Sequence, residues 1–126
     1  MNLASVRLVT RDVDRLVSFY TRLTGGKATR PSPEFAEFRF NGSALAISSE
    51  RLVRQFNAGA AIPAANHSAI IEFQVDDVDA ERTRLGEAAV DYVMQPTDRP
   101  WGNRSMLLRD PDGNVVNVFA RKSRPA

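Results

Sequence analysis

The segment Val9-Thr10-Arg11-Asp12-Val13-Asp14 has a counterpart 65 positions further along the chain, Gln74-Val75-Asp76-Asp77-Val78-Asp79. In both places an apolar run typical of a β-strand comes directly before it. A period of this length, present twice in a chain of 126 residues, indicates an internally duplicated domain. The two halves can therefore be aligned on each other residue by residue.

Composition limits the classes of function. A chain of 126 residues with 43% hydrophobic residues is long enough for one domain, and a net charge of +2 gives no reason to expect nucleic acid or a charged membrane surface as partner. The absence of cysteine excludes disulfides, thiolate metal sites and a thiol nucleophile. The start of the chain lacks a charged residue followed by a long apolar segment, and no apolar run reaches about 18 residues. We therefore expect a cytoplasmic protein.

The first half predicts the order β-α-β-β-β. Residues 3–10 alternate like a half-buried strand, Asp12 is a suitable helix N-cap, and Gly25-Gly26 ends the helix. Turn residues separate three further strands, which we expect at 27–30, 35–40 and 44–48. A short helix over 50–56 and a connector over 57–67 follow.

The second half predicts the same order. A strand over 69–75 leads to Asp77 as N-cap, a helix reaches about Ala89, and strands follow near Tyr92 and over 104–108 and 115–120. The turn Asp110-Pro111-Asp112-Gly113-Asn114 is assigned to structure, because Pro and Gly set turn geometry and Asp and Asn bond the local backbone. We expect one domain over 1–126, with module one at 1–56, the connector at 57–67, module two at 68–120 and a basic tail at 121–126.

Three stretches carry a family resemblance: DVDRLVSFY after the first strand, FQVDDVDAE in the second half, and WGNRSMLLRDPDGNVVNVF near the end. Together they resemble the vicinal oxygen chelate superfamily of glyoxalases, bleomycin-resistance proteins and extradiol dioxygenases. The resemblance implies an α+β fold with two tandem βαβββ modules, whose curved mixed sheet surrounds a cleft that a second subunit commonly completes. It also implies that metal-dependent members carry His, Glu or Gln ligands on the first and last strands of each module.

The positions that this resemblance assigns to metal ligands are Ser5, Ala46, Ile70 and Asn117. Of these, only Asn117 offers a useful oxygen donor, whereas a catalytic Zn, Fe or Mn site needs about three converging imidazole or carboxylate ligands. The one histidine, His67, lies in the connector, where a side chain is usually solvent-exposed. We therefore predict a protein without a metal or other cofactor.

Side chains alternate across a strand, so the alternation counted from these four positions separates the residues that face the cleft from those that face the core. It predicts that the following residues form the core: Val6, Leu8, Leu45, Ile47, Ile71, Phe73, Val116 and Val118. It places Arg7 and Glu72 at equivalent positions facing the cleft, where an ion pair would take the place of a metal. The alternative is that both charges are structural or point into solvent.

Trp101 falls in the loop that we expect over 96–103, at the mouth of the cleft. A loop tryptophan can form an aromatic wall for a planar or cationic ligand, or it can plug a subunit interface. The predicted ligand-binding residues are Ser5, Arg7, Arg39, Ala46, Ser48, Ile70, Glu72, Trp101, Arg104, Asn117 and Phe119.

These predictions favour a metal-independent homodimer of the bleomycin-resistance or antibiotic-resistance type, which sequesters an apolar or aromatic small molecule in its cleft. One alternative is a lyase, isomerase or dioxygenase with an atypical metal site at Asn117 and Glu72. Another is a structural or regulatory dimer module. Glu72 is also a candidate general base, because desolvation would raise its pKa if Arg7 were distant.

Overall fold

A computed structural model describes residues 1–122 of the chain. The chain divides into two compact units, of which the first is Met1–Ala65 and the second begins at Asn66. Of the predicted basic tail, Ser123 and Arg124 lie outside the described residues.

Each unit contains one four-stranded mixed sheet. The first unit comprises β1 (Ser5–Thr10), α1 (Val13–Thr24), β2 (Thr29–Ser32), β3 (Phe35–Phe40), β4 (Ser43–Ser49) and α2 (Glu50–Phe56). The second comprises β5 (Ile70–Gln74), α3 (Val78–Leu85), β6 (Asp91–Asp98), β7 (Asn103–Arg109) and β8 (Val115–Arg121). The strand orders are β1-β4-β3-β2 and β5-β8-β7-β6. The α+β class and the repeated βαβββ order are confirmed.

The first strand of each unit pairs in parallel with the last strand of its sheet, and the other pairs are antiparallel. Arg7 lies opposite Ala46 in the first sheet, and Glu72 lies opposite Asn117 in the second. A parallel pair needs a long crossover connection between its strands, and here the helix and two further strands supply it. The predicted equivalence of Arg7 and Glu72 is thus reproduced in the strand register.

The repeated aspartates begin the helices as predicted. Asp12 Oδ1 accepts a hydrogen bond from the backbone N of Arg15 at 3.0 Å, and Asp77 Oδ1 accepts one from the backbone N of Ala80, also at 3.0 Å. Each bond satisfies a backbone donor that the first helical turn would leave without a partner. Gly25 ends α1 in the left-handed conformation at φ 69°.

The predicted end of the third helix near Ala89 is wrong, because α3 ends at Leu85. Gly86 follows with φ 70°, a conformation that favours glycine, and its N–H bonds the carbonyl oxygen of Arg82 at 3.1 Å. The helix also lacks a continuous apolar stripe, since Arg82 and Arg84 occupy two of its eight positions. The helix therefore ends before Gly86, earlier than predicted.

Two strand predictions also need correction. The strand expected at 27–30 lies at Thr29–Ser32, where β2 forms an edge of its sheet and accommodates Pro31. The loop expected over 96–103 is shorter than predicted, since β6 continues to Asp98, also at an edge of its sheet, and β7 begins at Asn103. The chain reverses only between Arg99 and Asn103, where the N of Arg99 bonds the O of Asn103 at 2.7 Å.

The core of the first unit lies between its sheet and α1, and the core of the second lies between its sheet and α3. In the first unit Tyr20 of α1 is fully buried, with its ring 6.4 Å from that of Phe38 on β3. The predicted core residues that are buried are Leu8, Leu45, Ile47, Val116 and Val118. Ile71 and Phe73 are half-buried, and Val6 is 47% exposed, so the prediction for Val6 is wrong. Val6 lies on the edge strand β1, which has a neighbour on one side only.

The turn between β7 and β8 is held by its own side chains, as predicted. Asp110 Oδ1 accepts from the backbone N of Asp112 and of Asn114, each at 2.9 Å, and Asp110 Oδ2 accepts from Asn114 Nδ2 at 2.8 Å. Asn66 Nδ2 donates to Asn114 Oδ1 at 3.1 Å, which ties the segment before β5 to this turn.

No helix within residues 1–122 has the length and apolar character needed to cross a membrane.

The N-cap of α3 provides a test of the duplicated helix entry. Asp77→Ala is expected to lower the free energy of unfolding by about 1 kcal/mol, because the backbone N of Ala80 loses its acceptor. Urea unfolding followed by circular dichroism measures the change. Asp76→Ala, one position earlier, is the matched control and is expected to cost less than about 0.5 kcal/mol. Equal losses in the two variants would contradict the capping role of Asp77.

Candidate functional site

The strand register defines the two faces of each sheet. The face that points away from α1 in the first unit, and away from α3 in the second, is here called the open face. On the second sheet the middle row of the open face consists of Glu72, Asn117, Leu107 and Met94, which are successive register partners on β5, β8, β7 and β6. Register partners in neighbouring strands project from the same face. Predicted site residues Glu72 and Asn117 are therefore neighbours on this face.

The rows on either side extend this face. Ile70, Val115 and Arg109 form one row, and Gln74, Phe119 and Ser105 form the other. Four apolar side chains near the centre are half-buried: Met94, Leu107, Val115 and Phe119. Ile70, at the edge, is 55% exposed. The centre of the face is thus an apolar floor that keeps some contact with solvent.

A carboxylate and an amide meet at one end of the middle row. Asn117 Nδ2 donates to Glu72 Oε2 at 2.9 Å, and the Glu72 residue itself is exposed. Within residues 1–122, the buried Asn117 Oδ1 has no hydrogen-bond partner. An unsatisfied buried acceptor costs about 1–3 kcal/mol. Asn117 orients the Glu72 carboxylate at some cost in stability, as residues of functional sites often do.

Trp101 lies in the tight turn between β6 and β7, and it is 71% exposed. The guanidinium carbon of Arg99 lies 5.9 Å from the centre of the Trp101 ring, within the range of a cation–π interaction. Arg99 Nη1 also lies 3.8 Å from Met94 Sδ. Arg99 therefore links the turn that carries Trp101 to the apolar floor.

Arg104 projects from the other face of the second sheet. Its register partner is Ala120, and its Nε and Nη2 donate to both carboxylate oxygens of Asp79 on α3 at 2.8 and 2.9 Å. Its Nη1 donates to Asp98 at 3.1 Å, and Lys122 Nζ donates to the same carboxylate at 2.8 Å. The structure thus places this predicted ligand-binding residue apart from Glu72, Asn117 and Phe119.

The first sheet brings together the other predicted residues. Ser5, Ala44 and Arg39 share one row of its open face, and Arg7, Ala46 and Glu37 share the next. The third row consists of Val9, Ser48 and Phe35. Ala46 and Ser48 are buried, at 3% and 0% exposure. This face is more polar than the open face of the second sheet.

The two charges predicted to pair each have a neutral partner within their own unit. Arg7 Nη2 donates to Asn57 Oδ1 at 2.8 Å, close to the end of α2. Glu72 accepts from Asn117, as described above. Arg39 Nη2 contacts Glu37 Oε1 at 2.8 Å on the same face as Arg7. The ion pair between Arg7 and Glu72 stays a prediction.

The positions assigned to metal ligands present a hydroxyl, a methyl, a branched alkyl group and an amide: Ser5, Ala46, Ile70 and Asn117. Among residues 1–122, no group of three or more His, Asp or Glu side chains is arranged to hold a metal ion. His67 is exposed. The residues present do not fit the catalytic metal site of the metal-dependent members, which requires about three such ligands.

Sequence reasoning missed three residues of the second open face: Met94, Leu107 and Arg99. Leu107 follows from the alternation of β7 once its register with β8 is known, since its partner is Asn117. Alternation along β6 does not predict the face on which Met94 lies, because the pairing with β7 is irregular between Tyr92 and Met94 and again between Met94 and Thr97. Arg99 falls within the loop predicted over 96–103, and its contacts depend on the tight turn.

The fold and the alternating faces agree with the comparisons to known proteins. The sequence profile of the Glyoxalase/Bleomycin resistance protein/Dioxygenase superfamily matches residues 2–118, and the chain belongs to this superfamily. The resemblance noted from the sequence is thereby confirmed.

Individual relatives are distant. The uncharacterized protein YraH of Bacillus subtilis (strain 168) is 26% identical over 125 residues, which cover 94% of this chain and 98% of that protein. A glyoxalase/bleomycin resistance protein/dioxygenase from Nocardioides has a similar structure, with a TM-score of 0.80, 24% identity and coverage of 100% of this chain and 88% of that one. A glyoxalase-related enzyme from Fulvimarina pelagi has a TM-score of 0.82 at 21% identity, with 96% and 88% covered. At these identities the two structures show a shared fold alone.

The Arg104 cluster makes the stability of the second unit dependent on pH. Hydrogen bonds from Arg104 lower the pKa of Asp79, and hydrogen bonds from Lys122 and Arg104 lower the pKa of Asp98. A carboxylate whose pKa is lower in the folded state stabilises the fold above its unfolded pKa of about 3.9, and this stabilisation is lost as the pH falls through the folded pKa.

Arg104→Gln is therefore expected to lower the thermal midpoint at pH 7, and the difference from the parent is expected to shrink as the pH falls below about 4. Scanning calorimetry from pH 7 to pH 2.5 measures this. Arg15→Gln, an exposed arginine of α1, is the control and should leave the midpoint nearly unchanged at every pH. A loss in Arg104→Gln that is the same at pH 7 and pH 2.5 would show that packing, rather than charge, is responsible.

Proposed function

We propose that this protein binds an apolar or aromatic small molecule without a metal ion, as a sequestering protein of the bleomycin-resistance type. The observation that carries the proposal is the open face of the second sheet, where four half-buried apolar residues lie beside the oriented carboxylate of Glu72. Ligand sites are commonly built in this way, from an apolar lining with a few well-placed polar groups.

The apolar floor supplies most of the proposed affinity. Met94, Leu107, Val115 and Phe119 keep part of their surface in contact with solvent in the free protein. Covering such surface with an apolar ligand gains about 25 cal/mol per Å² that leaves water. Phe119 offers a ring face or edge to an aromatic ligand. Trp101, at 71% exposure, offers a second aromatic surface from the neighbouring turn.

Glu72 supplies the polar end of the proposed site. The hydrogen bond from Asn117 occupies Oε2, and the exposed carboxylate retains acceptor capacity for an N–H or O–H group of the ligand. Asn117 acts on the ligand through Glu72 and is thus a positioning residue. Ile70 extends the floor at the edge of the sheet.

The residues predicted on the first sheet, Ser5, Arg7, Arg39, Ala46 and Ser48, stay part of the proposal with a smaller role. Their face is more polar, and two of them are almost fully buried. Arg104 is no longer proposed as a ligand-binding residue. Its contacts with Asp79 and Asp98 support a structural role, in which it holds the strands on either side of the Trp101 turn.

An enzyme with an atypical metal site remains the second candidate, because Glu72 and Asn117, which both carry oxygen atoms, are neighbours, with Asn117 Nδ2 at 2.9 Å from Glu72 Oε2. We favour binding without catalysis because only one of the two is a carboxylate, and the amide presents its nitrogen to it. A cytoplasmic location also stays a prediction.

Trp101 is the only tryptophan, so its fluorescence reports on ligands that reach the neighbouring floor. Titration with a panel of neutral aromatic compounds and aromatic antibiotics is expected to change its emission with at least one compound. Leu107→Gln is expected to weaken that binding about tenfold or more, since it replaces a central apolar side chain with a polar one. Ile62→Gln is the control, since Ile62 is an exposed apolar residue that lies outside the strands and helices.

Two results would contradict the proposal. One is the absence of any response to the panel at millimolar concentrations. The other is stoichiometric metal in protein purified without chelators, measured by elemental analysis, since this would favour the enzyme instead. Equal binding by the parent and Leu107→Gln would show that the ligand binds elsewhere than on the open face of the second sheet.

We propose further that the protein is a homodimer. Exposed apolar residues on edge strands support this: Val6 on β1 is 47% exposed, Ile70 on β5 is 55% exposed and Val93 on β6 is 45% exposed. Edge strands with exposed apolar side chains invite pairing with another chain.

Light scattering during size-exclusion chromatography is expected to give twice the chain mass of 14.0 kDa at micromolar concentration. Val6→Lys is expected to shift the protein toward the monomer, because a charge on an edge strand opposes association. Ile62→Lys, an exposed apolar residue outside the strands, serves as the control. A parent protein that stays monomeric over a hundredfold range of concentration would refute the dimer.

A further inference from the structure

Arg99 lies at the beginning of the turn between β6 and β7, and its side chain returns over the second sheet. Its Nε donates to the carbonyl oxygen of Asp98 at 3.2 Å, and its Nη1 lies 3.8 Å from Met94 Sδ. The Trp101 ring lies on the turn above it, with its centre 5.9 Å from the guanidinium carbon. The guanidinium therefore lies close to both Met94 of the apolar floor and the exposed aromatic ring.

The charge of Arg99 has no carboxylate partner within residues 1–122. The described chain has three half-buried arginines, namely Arg82, Arg99 and Arg104. Arg82 pairs with Glu87, and Arg104 pairs with Asp79 and Asp98. Partial burial of a charge is unfavourable unless an opposite charge or hydrogen-bond acceptors compensate for it. Arg99 alone of the three has only a carbonyl oxygen and a sulfur atom as polar contacts.

The guanidinium also retains unused donors. It has five N–H groups, of which one bonds Asp98 and one meets the weak acceptor Met94 Sδ. Its planar arrangement matches the two oxygens of a carboxylate, with which it forms two parallel charge-assisted hydrogen bonds. A ligand carboxylate at this position would supply the missing opposite charge.

The spacing of the strands places this group at the far end of the floor from Glu72. Met94 and Glu72 lie on β6 and β5, the two edge strands of the sheet, which are three strand intervals apart. At about 4.8 Å per interval, the separation is about 14 Å. An aromatic or apolar molecule lying on Leu107 and Phe119 can thus reach Arg99 with an acidic group while that group stays away from the negative charge of Glu72.

We infer that the ligand of the second open face carries a carboxylate, which Arg99 binds while the Trp101 ring covers the adjoining planar part of the molecule. This inference rests on the proposed function, since it concerns the same face. It narrows the ligand class from apolar or aromatic molecules in general to aromatic carboxylic acids. It also assigns Arg99 as the residue that distinguishes acids from neutral analogues.

A pair of probes that differ only in charge tests the inference: 1-naphthylacetate and its neutral amide, 1-naphthylacetamide. Isothermal titration calorimetry of the parent is expected to show about tenfold or tighter binding of the acid. In Arg99→Gln the affinity for the acid is expected to fall to that for the amide, while the affinity for the amide changes less than about threefold. Arg15→Gln, an exposed arginine without a carboxylate partner in the described chain, should retain the preference for the acid.

The possible failures are distinguishable. Equal affinity of the parent for the acid and the amide would overturn the inference and leave the proposed binding function intact. A preference for the acid that persists in Arg99→Gln would overturn the role of Arg99. Failure of both compounds to bind the parent at millimolar concentration would overturn the inference, whereas the proposed function would be contradicted only if the wider aromatic panel also gave no response. Circular dichroism and the thermal midpoint establish that Arg99→Gln is folded.

Discussion

The parallel pairing of the first and last strands of each unit is the constraint on which the rest of the structure depends. Side chains alternate between the two faces of a strand, so a slip of one residue in β1 against β4, or in β5 against β8, would exchange the core and open faces. The register that places Glu72 opposite Asn117 also directs Val116 and Val118 into the core, where both are buried. The arrangement of the site and the stability of the core therefore depend on the same pairing.

The two units share this pairing and differ in what they present on their open faces. At equivalent register positions the first sheet has Arg7 beside Ala46, and the second has Glu72 beside Asn117. The first face is polar with small, buried residues at its centre, while the second carries the apolar floor. The two units thus share a backbone arrangement, while their open faces differ in chemistry.

Charged side chains hold the turn that carries Arg99 and Trp101. Arg104 joins β7 to α3 through Asp79 and to β6 through Asp98, and Lys122 at the end of β8 bonds the same Asp98. The pair of strands on either side of the turn is therefore fastened to a helix and to the last strand. Such a network reduces the freedom of the turn, and a preorganised turn loses less entropy when a ligand binds.

The sequence by itself determined the fold class, the family, the N-caps at Asp12 and Asp77, the turn at Asp110–Asn114 and part of the core, namely Leu8, Leu45, Ile47, Val116 and Val118. These features depend on local periodicity, on short-range hydrogen bonds and on a repeat that two aligned segments make visible. Sequence reasoning also showed the two faces of β1, β4, β5 and β8, because alternation is a property of a single strand. The alternation alone predicts that Glu72 and Asn117 share one face, where they are hydrogen-bonded.

Only the tertiary structure decided what depends on contacts between strands and turns. The irregular pairing of β6 placed Met94 in the middle row, and the tight turn after Asp98 brought Arg99 over it. Arg104 is among the residues predicted to bind the ligand, whereas its partners lie on α3 and β6 and its side chain points away from the floor. Bulges, turn geometry and the choice among several carboxylate partners involve residues distant in sequence. Local sequence patterns therefore do not predict them.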